Sequence, residues 1–137
     1  MIEFNYETSF IIKDENRLRN WIESTVSNKN FELGEINYVF CDDEYLHKLN
    51  VEFLHHDTLT DIISFDNSLG KLISGDIFIS IERVKDNAKD FDVSFEEELH
   101  RVMIHGVLHY MGYKDKSKQE KQSMRLAENN ALSGLKS

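Results

Sequence analysis

Leu18, Trp21, Ile22 and Val26 recur at three- and four-residue intervals, which predicts an amphipathic helix over Asn16–Ser27. Shorter apolar runs bounded by turn residues predict strands at Ile2–Tyr6, at Glu35–Phe40 after an opening Gly34, at Asp61–Phe65 ("DIISF") and at Gly75–Ser80 ("GDIFIS"). Between the last two, "DNSLGK" reads as a turn or hairpin-like connection, and Asp42 as the N-cap of a helix through Leu49. From Ile81 the pattern turns helical. One segment runs to about Asp90, and a second starts near Ser94, where "SFEE" has the Ser-x-x-Glu form of a capping box. That second helix should run into Met111 and stop at Gly112, a residue suited to the C′ position. A last helix is expected over about Lys118–Leu132. Strands mixed with helices, then a helical C-terminal half, predict an α+β fold: a small mixed sheet of about four strands packed with about five helices.

The chain has 137 residues and no repeat, low-complexity tract or linker, so one domain over residues 1–137 is expected. Its net charge of −9 argues against nonspecific nucleic-acid binding by the whole surface but leaves room for a local basic groove. A lone cysteine, Cys41, excludes an internal disulfide framework and a cysteine-built zinc site. The acidic opening "MIEFNYETSFIIKDENR" does not read as a signal peptide, and no segment is long and apolar enough to span a bilayer. The expected compartment is the cytoplasm.

The stretch that carries chemistry is "HGVLHYMGYKD", His105–Asp115. Imidazoles among Val, Leu and Met are costly unless each ring nitrogen finds a partner. In a helix, His105 and His109 share a face one turn apart, so both can point at a single ion. A left-handed Gly112 would fold the chain back and bring Asp115 to the same point. Three protein ligands with an open fourth position is the arrangement of catalytic zinc, whereas the competing reading is two satisfied core histidines. Gly106 stands where His-Glu-x-x-His proteases keep their general base, and glycine can neither take nor give a proton. Its presence reads equally as close approach of substrate or as tight helix–sheet packing.

Three blocks together, "LNVEFLHHDTLTDIISF" (Leu49–Phe65), "SGDIFIS" (Ser74–Ser80) and "HGVLHYMGYKD", resemble the YbeY endoribonuclease family. The resemblance implies a zinc-hydrolase-like fold and a zinc-dependent, single-strand-specific endoribonuclease of ribosomal RNA maturation and ribosome quality control. It also implies one Zn²⁺ per chain, single-stranded ribosomal RNA and ribosomal subunits as partners, and neither a membrane nor a nucleotide cofactor. Two positions depart from the family pattern. Asp115 stands where the family has a third histidine; a carboxylate is a competent zinc ligand, so the expected metal set is His105, His109 and Asp115. Leu54 stands where the family has an arginine after an aromatic residue, so that arginine's role does not transfer. The adjacent His55 and His56 are expected to be exposed turn histidines. Thr60-Asp61 and Gly75-Asp76 match family positions; their aspartates could orient a ligand imidazole or cap turns, and the turn role is preferred.

Lys114, Lys116, Lys118, Lys121 and Arg125 follow the motif, the last three on one predicted helix face. They could contact phosphate beside the metal, or form a solvated face neutralised by Glu120 and Glu128. Arg83, Lys85 and Lys89 form a weaker stripe. No residue declares itself as general base or acid. Two other functional classes stay open: a metzincin-like protease, which shares the spacing but lacks the Glu and has only Met124, within a predicted helix, for its methionine turn, and a non-enzymatic ribosome-assembly factor with a structural metal.

Overall fold

The computed structural model describes residues 1–136; Ser137, the last residue of the expected domain, lies outside the described residues. Nine elements follow in chain order: β1 (Ile2–Tyr6), α1 (Glu15–Asn28), β2 (Glu32–Cys41), α2 (Asp43–Leu54), β3 (Ile62–Asp66), β4 (Leu72–Ser80), α3 (Ile81–Asp90), α4 (Phe95–Tyr110) and α5 (Lys118–Lys136). The sheet order is β1-β2-β4-β3, with β1, β2 and β4 parallel and β3 antiparallel to β4. The expected α+β class and mixed sheet are what the chain adopts.

Alternation along the central strands sorts their side chains. Ile36, Tyr38 and Phe40 of β2 and Ile73, Ile77 and Ile79 of β4 join the core shared with α1, α4 and α5. Cys41, Phe78, Ile63 and Phe65 belong to a smaller cluster with Leu46 and Leu49 of α2. Burial pushes the Cys41 thiol up to about 12, so it acts as an inert core residue. The long helices are also pinned by polar bonds: the Tyr38 hydroxyl donates to Met103 O at 2.8 Å, and Trp21 Nε1–H to Ala131 O at 2.7 Å.

Some boundaries move. The helix capped by Asp42, whose Oδ1 accepts the Tyr45 N–H at 2.8 Å, continues past Leu49 to Leu54. Asn50 permits this because it is buried with its amide donating to Thr58 O at 2.8 Å. The helix ends on His55, which is exposed and left-handed; His56 is also exposed, as expected of turn histidines. Gly34 lies inside β2 instead of before it. The register shifts between Leu33 and Ile36, and a Cβ at Gly34 would strike the Ser74 hydroxyl, which accepts the Glu35 N–H. Of the "SFEE" capping box only half forms. Ser94 Oγ accepts the Glu97 N–H at 3.0 Å, while the Glu97 carboxylate turns to Lys136. A reciprocal box forms instead at the start of α5, with Ser117 Oγ accepting from Glu120 N–H at 3.0 Å and Glu120 Oε1 from Ser117 N–H at 2.9 Å.

Candidate metal centre

Helix α4 packs on β3 and β4 at Gly106. A Cβ there would stand 3.0 Å from Ile77 Cδ1 and 3.2 Å from Ile62 Cδ1, so this glycine serves helix–sheet packing. One turn later Tyr110 reaches over Gly75, and its hydroxyl donates to Phe65 O and Asp76 O at 3.0 and 3.1 Å. Helix α4 is thereby fixed in depth and rotation, with His105 and His109 turned toward a cleft.

Beyond Tyr110 the helix ends in a Schellman motif: Tyr113 N–H bonds Leu108 O at 3.1 Å and Gly112 N–H bonds His109 O at 3.0 Å. Gly112 has φ +99°, a region closed to most L-residues. Tyr113 packs on the core and its ring is held by Lys29, whose Nζ donates to the phenol oxygen at 2.9 Å. The returning chain brings Asp115 back to the histidines.

Three atoms of metal-ligating type meet there. His105 Nε2 and His109 Nε2 are 3.0 Å apart, and Asp115 Oδ2 lies 3.2 Å from the first and 3.3 Å from the second. Tetrahedral coordination at about 2.0–2.1 Å separates ligand atoms by about 3.3 Å, so the triangle has the size of a metal's coordination face. Among the described residues this is the group that could hold a metal ion. The side chains of His109 and Asp115 are 31% and 41% exposed, which leaves one side open to a small ligand.

Glu128 completes the arrangement. Its Oε2 accepts the His105 Nδ1–H at 2.6 Å and its Oε1 accepts from Arg101 Nη1 at 3.0 Å. A proton on Nδ1 leaves the Nε2 lone pair free for an ion, the tautomer a ligand needs. Burial pushes the His105 pKa down, but the hydrogen bond and charge of Glu128, with Asp115 and Asp61, more than reverse this and hold it above its ordinary value. Burial likewise raises Glu128, and the bonds from His105 and Arg101 overcome it and hold the carboxylate low. Glu128 is therefore not part of a solvated, neutralising face; it is buried on the inner stripe of α5 with Met124, Ala127 and Leu132. An acid at that apolar spacing was the signal in the sequence.

The two family aspartates do not hold imidazoles. Asp76 Oδ1 accepts from Asn37 Nδ2 at 3.1 Å, away from the cleft. Asp61 lines the cleft, where its Oδ2 accepts from Asn87 Nδ2 at 3.4 Å. Its pKa is raised by burial against the opposing charge of His105. The cleft has a volume of about 460 Å³ and is walled by Thr60, Asp61, Asn87, Arg101 and Arg125 around the histidines. A hollow of similar size, about 500 Å³, lies between α1 and α5 but holds none of the predicted ligands. Arg83 is drawn away from any basic stripe by Asp43 at 2.9 Å, and Leu54 and Phe53 stand exposed at the end of α2.

The sequence model of Endoribonuclease YbeY matches residues 2–136. Relatives called Endoribonuclease YbeY include one from Flavobacterium johnsoniae, 60% identical over 96% of this chain and 95% of its own. Another, from Cytophaga hutchinsonii, is 47% identical over 95% and 92%. The solution structure of a Thermotoga maritima protein covers 99% of this chain and 92% of its own, with a TM-score of 0.69 and 24% identity, a likeness of fold.

Proposed function

This chain belongs to the YbeY endoribonuclease family, and from that membership we propose that it is a zinc-dependent endoribonuclease, a hydrolase of phosphodiester bonds in single-stranded RNA. The proposed substrate is ribosomal RNA during maturation and ribosome quality control, in the cytoplasm and at ribosomal subunits, with residues 1–137 acting as one domain. No helix among the described residues is long and apolar enough to cross a membrane.

The triangle of His105 Nε2, His109 Nε2 and Asp115 Oδ2 is the observation that carries the metal dependence. Two imidazoles and one carboxylate suit Zn²⁺, and its partial exposure suits a catalytic ion better than a closed structural one. A zinc ion held there by His105, His109 and Asp115 would supply Lewis acidity toward a phosphoryl oxygen and lower the pKa of a bound water. The protein's own contribution is positional. Glu128 locks the His105 ring through Nδ1–H, Arg101 holds Glu128, and Arg125 brings positive charge to the rim where a phosphodiester enters.

A protease reading is disfavoured by Gly106, which is packed against Ile62 and Ile77 and offers no base, and by Met124, buried inside α5. The test is metal analysis of the purified protein with cleavage assays on single-stranded RNA and casein, with and without chelator. The expected result is about one zinc per chain, RNA cut, cleavage lost on chelation and restored by metal, and casein intact. Casein cleavage would favour the protease; bound metal with neither substrate cut would favour the assembly factor.

A further inference from the structure

The cations that flank Asp115 and follow it into α5 are all exposed: Lys114, Lys116, Lys118, Lys121 and Arg125. Among the described residues none of the four lysines makes an ion pair, and Arg125 meets Glu128 only at 3.8 Å. The acids on the same helix that would neutralise this face are committed elsewhere. Glu120 closes the capping box with Ser117, where its charge also lies near Lys114, and Glu128 turns inward to His105 and Arg101. What remains is a strip of four lysines without an ion pair and one Arg125 pair at 3.8 Å, on a chain of net charge −9.

The strip has a shape. A shallow hollow of about 570 Å³ on the outer face of α5 is lined by Lys118, Lys121, Gln122, Arg125, Leu126 and Asn129. Arg125 also lines the metal cleft, so its side chain borders both. Lys118 to Arg125 spans roughly 10 Å along the helix axis. Leu126 is 62% exposed amid these polar groups, an apolar surface with no protein partner above it.

We propose that this outer face of α5 is a subsite for the single-stranded RNA flanking the bond to be cut: Lys118, Lys121 and Arg125 pair with its phosphates, and Leu126 receives an unstacked base. The inference rests on the ribonuclease reading above. A net-negative protein repels polyanions in general, so a narrow cationic track ending at the cleft favours a strand aligned through it. Stacked bases of a duplex would not reach Leu126, whereas splayed bases of a single strand would.

The test compares the full chain with its Lys118→Glu/Lys121→Glu variant, both metal-loaded. A 20-nucleotide single strand, its duplex and a dinucleotide that fills only the cleft are the probes. The variant should bind the single strand at least tenfold more weakly, with the salt dependence of log Kd flattened by roughly 1.4, about 0.7 for each lost phosphate contact. Its zinc content and dinucleotide cleavage should match the wild type. An unchanged salt slope in the variant, with wild-type cleavage intact, would overturn the subsite and leave the ribonuclease reading standing. Wild-type protein that neither binds nor cuts RNA would overturn both. Equal weakening on duplex and single strand would overturn the single-strand assignment.

Discussion

Glu128 Oε2 lies 2.6 Å from His105 Nδ1, so a residue of the last helix selects the tautomer of a candidate metal ligand on the helix before it. The pair is buried on the Glu128 side and open toward Asp115 on the other. The orientation of His105 in the candidate metal centre and the docking of α5 on α4 are therefore linked through one hydrogen bond.

Replacing Glu128 by Gln should weaken zinc affinity by about 10–100-fold, because the Nδ1–H loses its anionic acceptor and Arg101 its counter-charge. Competition against a chromogenic chelator reads this directly. Affinity equal to the wild type would mean that the His105 ring is held by α4 packing alone.

His105→Ala and His109→Ala should each abolish stoichiometric zinc, and Asp115→Ala should lose zinc or retain it only weakly. Asp115→His should keep the metal, since imidazole is an equally competent ligand; it replaces a negative ligand by a neutral one, so its rise of activity with pH should move to lower pH. Elemental analysis of the four proteins after dialysis, with a pH–rate profile of the last, is the check. Full zinc in the His105/His109 double alanine variant would place the site elsewhere.

Away from the cleft, Asp43 accepts from Arg83 Nη2 at 2.9 Å and from the Ser80 hydroxyl at 2.7 Å. Burial raises its pKa, but those bonds and the Arg83 charge outweigh it and leave it below the ordinary 3.8. A depressed carboxyl stabilises the fold above its unfolded pKa and ceases to as pH falls through its folded one. Arg83→Met should thus cost about 1 kcal/mol near neutrality, and the deficit should shrink below about pH 3.8. Thermal melts of both proteins across pH test the sign; a deficit independent of pH would assign it to packing.

Gly106→Ala pits a helix-propensity gain of about 1 kcal/mol against overpacking of about 1–3 kcal/mol where the new methyl meets Ile77 and Ile62. Net destabilisation of about 1 kcal/mol is expected, and Ile77→Val in the same protein should relieve it. Denaturant unfolding of the single and double variants measures the coupling, which additivity would exclude.

Much of this molecule is legible one segment at a time. The stripe of Leu18, Trp21, Ile22 and Val26 announces α1 and is what that helix buries. The strands show as apolar runs, and Gly112 marks the end of α4 because a left-handed residue there needs no Cβ. That His105, His109 and Asp115 come together was legible for the same local reason: the histidines are one helical turn apart, and Asp115 follows a glycine stop. Residues near in sequence have their geometry set by helix pitch and cap chemistry alone.

What the linear pattern could not decide lies between distant segments. Gly106 admitted two readings until Ile62 and Ile77, more than 25 residues upstream, were seen against it. Asp61 and Asp76 looked alike, but Asp61 stands just before β3, where it lines the cleft, while Asp76 lies within β4 and bonds Asn37 of β2. Glu120 and Glu128 both read as surface counter-charges. Only the docking of α5 against α4 buried Glu128, because a carboxylate there is tolerated when Arg101 and His105 both bond it. Local propensity and spacing determined the elements and the cluster of His105, His109 and Asp115; packing of remote elements decided which charges face that cluster and which face solvent.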